Sequence, residues 1–365
     1  MPVNLFSDTT LDLWKVTQKA QPWKGQYETL RKYNSYPMLG RIFRGKGVKE
    51  IQGGSAIEWQ TVLDDTGNAQ FVTPHEAVEY DTDDVVGTFS ANWALCHGSH
   101  LVSEDEIEQN SATATQLQDL RKIKREVCSG GMFNKVESQA WKVPTGSAED
   151  QAKQPFGIPY SVVPVTSAQV AAGNVGGFYG QNASGFTSCY GVDSSLDKYA
   201  RYRNYVDVWS NSAGEITEDD VDKVLQMLRY LNWQGPMNAA EAASGDFANL
   251  VMYTTNKMIK GIDRKARENN DNLGADLGKF AGQSVTRGIP YVWSQALEEV
   301  SNATNPVVAV DHSVLQCLIH SGENFREFPA KRLEDRPRLI ATDVYLKYQL
   351  TNRNRRRCGR IDYVA

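Results

Sequence analysis

Cys96, His97 and His100, with Cys317 and His320 three residues apart, are residue types that bind zinc and could in principle meet as one site. The reading that asks less of the chain makes them small buried hydrophobes and hydrogen-bonded histidines. "ENNDNLGADLGKF" places Asn269, Asp271 and Gly274 at positions 1, 3 and 6 of a calcium loop. However, Leu273 stands at position 5, and Phe280 stands where the bidentate carboxylate belongs. Ser284 in "GQSVT" lacks the closing glycine of a nucleophile elbow. Gly176, Gly177 and Gly180 have neither the P-loop nor the dinucleotide spacing and read as a surface loop. No catalytic residue, metal or cofactor is therefore expected, and the chain does not read as an enzyme.

The other concentration of chemistry is charge. Arg353, Arg355, Arg356, Arg357 and Arg360 form a basic tail, which reads either as a solvated face with subunit contacts or as a phosphate patch. No aromatics interleave them closely enough to stack bases, which favours the subunit reading. Residues 51–110 contain no Lys or Arg and carry twelve carboxylates, among them Glu58, Asp64, Asp65, Glu76 and Glu79. The net charge of −5 over 365 residues argues against a dedicated nucleic-acid binder. Five scattered cysteines without CxxC read as reduced thiols, and no run is long or apolar enough for a membrane span or a secretory leader.

These charges need elements to carry them. Residues 1–50 form a basic arm holding Trp14, Trp23, Arg31, Lys32, Arg41 and Arg44. Ile57, Trp59, Thr61 and Leu63 alternate with polar neighbours as in a strand. "DDTGN" offers a turn, and a second extended run is expected over 69–80, with Pro74 marking an edge or bulge. About nine residues per arm at about 3.3 Å each give a ribbon roughly 30 Å long, too exposed to stand alone. Ser103 and Glu106 make a capping box. Leu117, Leu120, Ile123, Val127, Val136 and Ala140 then recur at helical spacing, predicting a helix of about 35 residues over 103–143 with a kink at Gly130–Gly131. Thr217 caps a second helix with the stripe Val221, Val224, Leu225 and Leu228. "FANLVMYTT", "QSVTRGIPYVW" and "NPVVAV" read as strands and "NKMIKGIDRKARENN" as a helix.

"VMYTTNKMIKGIDRKARENNDNLGADLGKFAGQSVTRGIPYVWSQALEE" followed by "NPVVAVDHSVLQCLIHSGENF" resembles the axial-domain segment of tailed-phage major capsid proteins of the Hong Kong 97-type fold. The order of arm, hairpin, long helix, α/β region and returning tail is similar to that family over essentially the whole chain. The resemblance implies an α+β capsid fold with an N-arm over 1–50 and an extended loop over 51–88. A peripheral domain follows over 89–143, with its spine helix at about 103–143. It further implies an axial domain over 144–330 and returning peripheral strands over 331–365.

The implied function is self-assembly as hexamers and pentamers into an icosahedral head around double-stranded DNA, in a virion made in a host bacterial cytoplasm. Implied partners are other copies of the chain, a separate scaffolding protein, a portal and decoration proteins, with packaged DNA touched weakly and no membrane. Inter-subunit roles are expected for the arm residues Trp14, Trp23, Arg31, Lys32, Arg41 and Arg44, for Ile57, Trp59, Leu63, Asp64, Asp65 and Phe71 of the ribbon, and for Arg355, Arg356 and Arg357 of the tail. The type member of the family joins its subunits through an extended-loop lysine, which this loop lacks; Lys46 and Lys49 lie at its base. The rival readings are an encapsulin-like nanocompartment shell, a zinc or serine hydrolase on the α/β region, and a tail or fibre component.

Overall fold

The computed structural model describes residues 36–44, 47–63, 71–73, 86–109, 114–145, 154–211, 215–232, 250–268, 285–286, 289–301 and 304–364. In chain order the elements begin with α1 (Pro37–Arg44), β1 (Val48–Ile51), β2 (Ala56–Val62), β3 (Val86–Asn92), β4 (Ala94–Ser103), α2 (Glu104–Gln109) and α3 (Ala114–Ala140). There follow β5 (Gly177–Gly180), β6 (Asn204–Val208), α4 (Glu218–Asn232), β7 (Leu250–Thr254), α5 (Asn256–Glu268), β8 (Val285–Thr286), β9 (Ile289–Trp293) and α6 (Gln295–Ser301). The chain then runs through β10 (Val307–Asp311), β11 (Leu315–His320), β12 (Arg326–Glu327), β13 (Lys331–Arg332), β14 (Leu339–Asn352) and β15 (Gly359–Asp362). It divides into two compact units. One comprises Met1–Gly53, Ala94–Ser138 and Leu318–Tyr348; the other comprises Gly54–Trp93, Gln139–Cys317 and Gln349–Ala365.

The first unit is built on β14, which pairs antiparallel with β4 from Leu339↔Ser103 to Tyr348↔Ala94, and with β12 and β13. The capping box forms as expected: the Ser103 hydroxyl accepts from the Glu106 N–H at 3.1 Å, and the Glu106 carboxylate accepts from the Ser103 N–H at 3.3 Å. This starts α2. The 27-residue α3 runs through Gly130–Gly131 without a break. Its predicted apolar stripe is only partly the buried one. Leu120, Val136 and Ala140 face the core, but Ile123 and Val127 are 58% and 70% exposed, and the inward positions include Arg121, Met132, Phe133 and Glu137. The helix approaches β4 closely at Gly98, where a Cβ would fall 2.6 Å from the Met132 sulfur.

The second unit carries a seven-stranded sheet in the order β5-β6-β15-β10-β7-β9-β8. Its core joins Met252, Val307, Ala309 and Ile361 of the strands to Val224, Met227, Leu228 and Leu231 of α4 and Met258 of α5. β7 and β10, buried at every position, are the continuous apolar runs of a sheet covered on both faces. Thr217 caps α4 as expected, its hydroxyl accepting from the Asp220 N–H at 3.2 Å. β15 lies parallel to β6 and antiparallel to β10, so the last strand is interior to this sheet. The expectation that 331–365 returns wholly to the peripheral domain is thus corrected: 349–365 belongs with the second unit.

The ribbon's pairing also differs from expectation. β2 pairs with β3, from Ala56↔Asn92 to Val62↔Val86; of the second extended run expected over 69–80, residues 69–70 and 74–80 lie outside the described residues. Residues 89–92, expected among the peripheral strands, pair with β2 and form part of the ribbon's second leg.

Candidate assembly surfaces

The root of the ribbon is fixed to the second unit by aromatic rings. Trp59 stacks on Phe89 across the strand pair at 5.7 Å and meets Tyr190 edge-on at 5.2 Å, while Phe89 lies 4.6 Å from Tyr202. Tyr190 sits in the left-handed region at φ 54, and three hydrogen bonds hold it there, the first from its own N–H to the Tyr160 hydroxyl at 3.1 Å. Its carbonyl accepts from the Ser90 N–H at 3.0 Å, and its hydroxyl donates to the Leu350 carbonyl at 3.2 Å. Such a conformation costs about 1–2 kcal/mol for a non-glycine residue, which the surrounding rings and bonds offset. Burial raises the Tyr190 phenol well above its ordinary value, so it stays a donor.

This root revises the expected interface set. Ile57 is 4% exposed and Trp59 is half-buried, both packed within their own chain, so they anchor the ribbon at its root. Leu63 is half-buried and lies over Gly87. Phe71, by contrast, is fully exposed, with Val72 and Val62 also outward. Asp64 and Asp65 lie outside the described residues, as do Trp14, Trp23, Arg31 and Lys32.

The tail arginines separate by role. Arg355, expected at a subunit interface, has no exposed surface; its guanidinium donates to the carbonyls of Ser161 (2.5 Å), Gly180 (3.2 Å) and Gln181 (2.5 Å), to Ser194 Oγ (3.1 Å) and to Asn204 Oδ1 (3.1 Å). It also stands over the Tyr202 ring at 5.2 Å. These acceptors are all uncharged, and they belong to β5, β6 and the loops beside them, so Arg355 ties the segment around β5 to the body of the unit. Gly180 is required here, because a Cβ would fall 2.1 Å from Asn204 Oδ1. Arg357 pairs with Asp311 at 2.9 Å, and buried Arg360 pairs with Asp362 at 2.6 Å. Arg356 is exposed, its guanidinium 4.2 Å from the Phe178 ring centre.

In the first unit the part of the arm that is described is docked. Met38, Leu39 and Ile42 of α1 are buried, the Leu39 N–H donates to Glu137 at 3.0 Å, and the Tyr36 hydroxyl donates to Asn134 at 2.5 Å. Arg41 is half-buried; the Arg44 side chain lies outside the described residues. Sequence reasoning missed the Glu327 cluster. Arg121 (2.6 Å) and Arg125 (2.8 Å) of α3 grip the Glu327 carboxylate on β12, and the buried His100 Nε2 stands 3.7 Å away. Burial alone would raise Glu327; His100, Arg125 and Arg121 together outweigh it and hold the carboxyl below its ordinary range.

The zinc and calcium candidates do not come together. His97 faces Asp343 at 3.1 Å and His100 faces Glu327, and no group of three or more metal-ligating side chains occurs among the described residues. Residues 269–284, which hold the calcium-loop candidate and Ser284, lie outside them. The cysteines are free, and burial pushes Cys317 up to about 12 and Cys358 to about 11, away from nucleophilic chemistry. No described helix is long and apolar enough to cross a membrane.

No protein-family profile and no curated protein matches this chain. Solved structures do. The capsid asymmetric unit of cyanophage A-1(L) matches with a TM-score of 0.61 at 14% identity, over 90% of this chain and 92% of that one. The Hong Kong 97-type capsid fold is the fold of this chain. The capsid of a native GTA particle matches with a TM-score of 0.55 at 10% identity, over 89% of this chain and 90% of that one. The capsid of Myoviridae phage XM1 matches with a TM-score of 0.50 at 9% identity, over 89% and 92%. In this capsid fold, α2 and α3 occupy the stretch expected for the spine helix, and β2 with β3 makes the root of the ribbon.

Proposed function

We propose that this chain is a major capsid protein that assembles with copies of itself, as hexamers and pentamers, into an icosahedral head around double-stranded DNA. The observation that carries this reading is the agreement with capsid subunits over about nine-tenths of both chains. The ribbon supports it. Its root is fastened by Trp59, Phe89 and Tyr190, while Phe71 near its apex is bare, as expected of a limb that completes its burial on another copy. The role is structural and non-enzymatic. The partners that go with it are a scaffolding protein, a portal and decoration proteins, with packaged DNA touched weakly.

Negative-stain microscopy of the purified chain, alone and with candidate scaffolds, tests the proposal. Closed shells, tubes or rings are expected; a monomer at every concentration and with every scaffold overturns it. Particles from infected cells should contain double-stranded DNA, and particles loaded with an enzyme and no genome would replace the head with a nanocompartment.

A further inference from the structure

The outward side of α3 carries a ridge. Ile123, Val127, Gly131 and Lys135 follow one another at four-residue steps, which sets them in one row along the helix. All four are exposed, Ile123 by 58% and Val127 by 70%. Gly131 is a poor choice for the helix itself, because glycine is less favourable there than alanine. Its backbone is helical and a Cβ on it would meet nothing within 4 Å, so the chain's own packing makes no demand for glycine at this position. A notch in an exposed ridge does, however, admit the close approach of another backbone. Lys122 precedes the ridge and Lys135 ends it, and among the described residues neither enters an ion pair. The carboxylates nearby are engaged: Glu106 pairs with Lys124 at 3.1 Å, and Glu126 is half-buried with a partner of its own.

Resting on the assembly reading above, we propose that this ridge docks an acidic amphipathic helix of a separate assembly protein. Apolar, small and basic residues share one row of α3, the complement of a helix whose apolar stripe is bordered by carboxylates. Ridge-into-groove packing would set a side chain of the partner in the notch at Gly131. Two other occupants match less well. The chain's own arm, residues 1–35, begins its course beside α3, since the Tyr36 hydroxyl is bonded to Asn134. That arm holds five Lys and Arg against three Asp and Glu, and would bring like charge to Lys122 and Lys135. A DNA duplex would match the lysines but has no apolar group to set on Ile123 and Val127.

Fluorescence anisotropy with the unassembled full-length chain tests this. The probe is a synthetic helix of about 20 residues with leucines in one stripe and glutamates beside it; the control has lysines in place of the glutamates. The glutamate helix should bind at least about tenfold more tightly than the control. Val127→Asp and Gly131→Leu should each weaken it about tenfold, with the melting temperature of the chain not lowered. Lys122→Glu with Lys135→Glu should reverse the preference between the two helices. Equal binding of both helices, equal binding to parent and variants, or no binding overturns the proposal. The natural occupant is read with a photoreactive amino acid at position 127, irradiated in cells that make particles. The expected product joins this position to a different polypeptide, within a segment that is net acidic and apolar at helical spacing. Attachment to residues 1–35, to another copy, to DNA or to a segment of another character, or no attachment, overturns the proposal. Because helix binding needs no particles, a chain that forms none condemns the assembly reading, and a chain that forms particles without binding the helix condemns this inference alone.

Discussion

Two single residues carry unusual weight. Arg355 brings a charge to a site with no exposed surface and meets it with five neutral acceptors. Its replacement leaves those acceptors dry, so Arg355→Met should cost about 3–5 kcal/mol, read as a fall in melting temperature of roughly 10 °C. Arg356→Met, one residue on, should leave melting within about 1 kcal/mol of the parent. Composition cannot separate these neighbours; the run Arg355–Arg357 reads as one solvated face until the turn at 354–358 points one member inward. Glu327 makes the second prediction. Because its folded pKa is depressed, its contribution is complete above the unfolded value of about 4.3 and fades as pH falls through the lower folded value. Melting curves of the parent should therefore drop more steeply below about pH 4 than those of Glu327→Gln, which starts lower and loses this dependence. Parallel curves would reject the assignment.

At the scale of elements, local signals were legible and distant pairing was not. Ser103 with Glu106 and Thr217 with Asp220 fixed helix starts because a cap involves only four consecutive residues. β7, α5 and β10 came through for the same reason, as uninterrupted patterns with clear ends. β2 was found, but its pairing with β3 was not foreseen, because alternation reveals that a segment is extended and says nothing about which segment lies beside it. Ile123 and Val127 kept the helical period yet face outward, since the period fixes a face and the burial of that face depends on neighbours. The aromatic root of the ribbon gives a direct test. Trp59→Ala should destabilise β2–β3 by about 3–5 kcal/mol. Amide protection should be lost over 56–62 and 86–92 while persisting in β7 and β10. Uniform loss across the second unit would mean that the ribbon root is no separate anchor.

For the whole molecule, the order of parts gave the capsid fold because each part is a recognisable type in a characteristic sequence. The division into units was less legible, since β14 contributes 339–348 to one and 349–352 to the other with no composition change between them. No Lys occurs in 51–110, so no ribbon amine is available for joining subunits. Mature particles boiled in detergent should run as a single band at the size of one chain; ladders formed without any added probe would contradict this.

The placement of β15 has a consequence for biosynthesis. Gly359–Asp362 is hydrogen-bonded between β6 and β10, segments made some fifty to one hundred and fifty residues earlier. A nascent polypeptide lacking only this stretch has a gap in the middle of its larger sheet, so the ribosome must translate past residue 362 and let it clear the exit tunnel before that sheet can close. Prematurely terminated products would be left with unpaired strand edges and open to proteolysis.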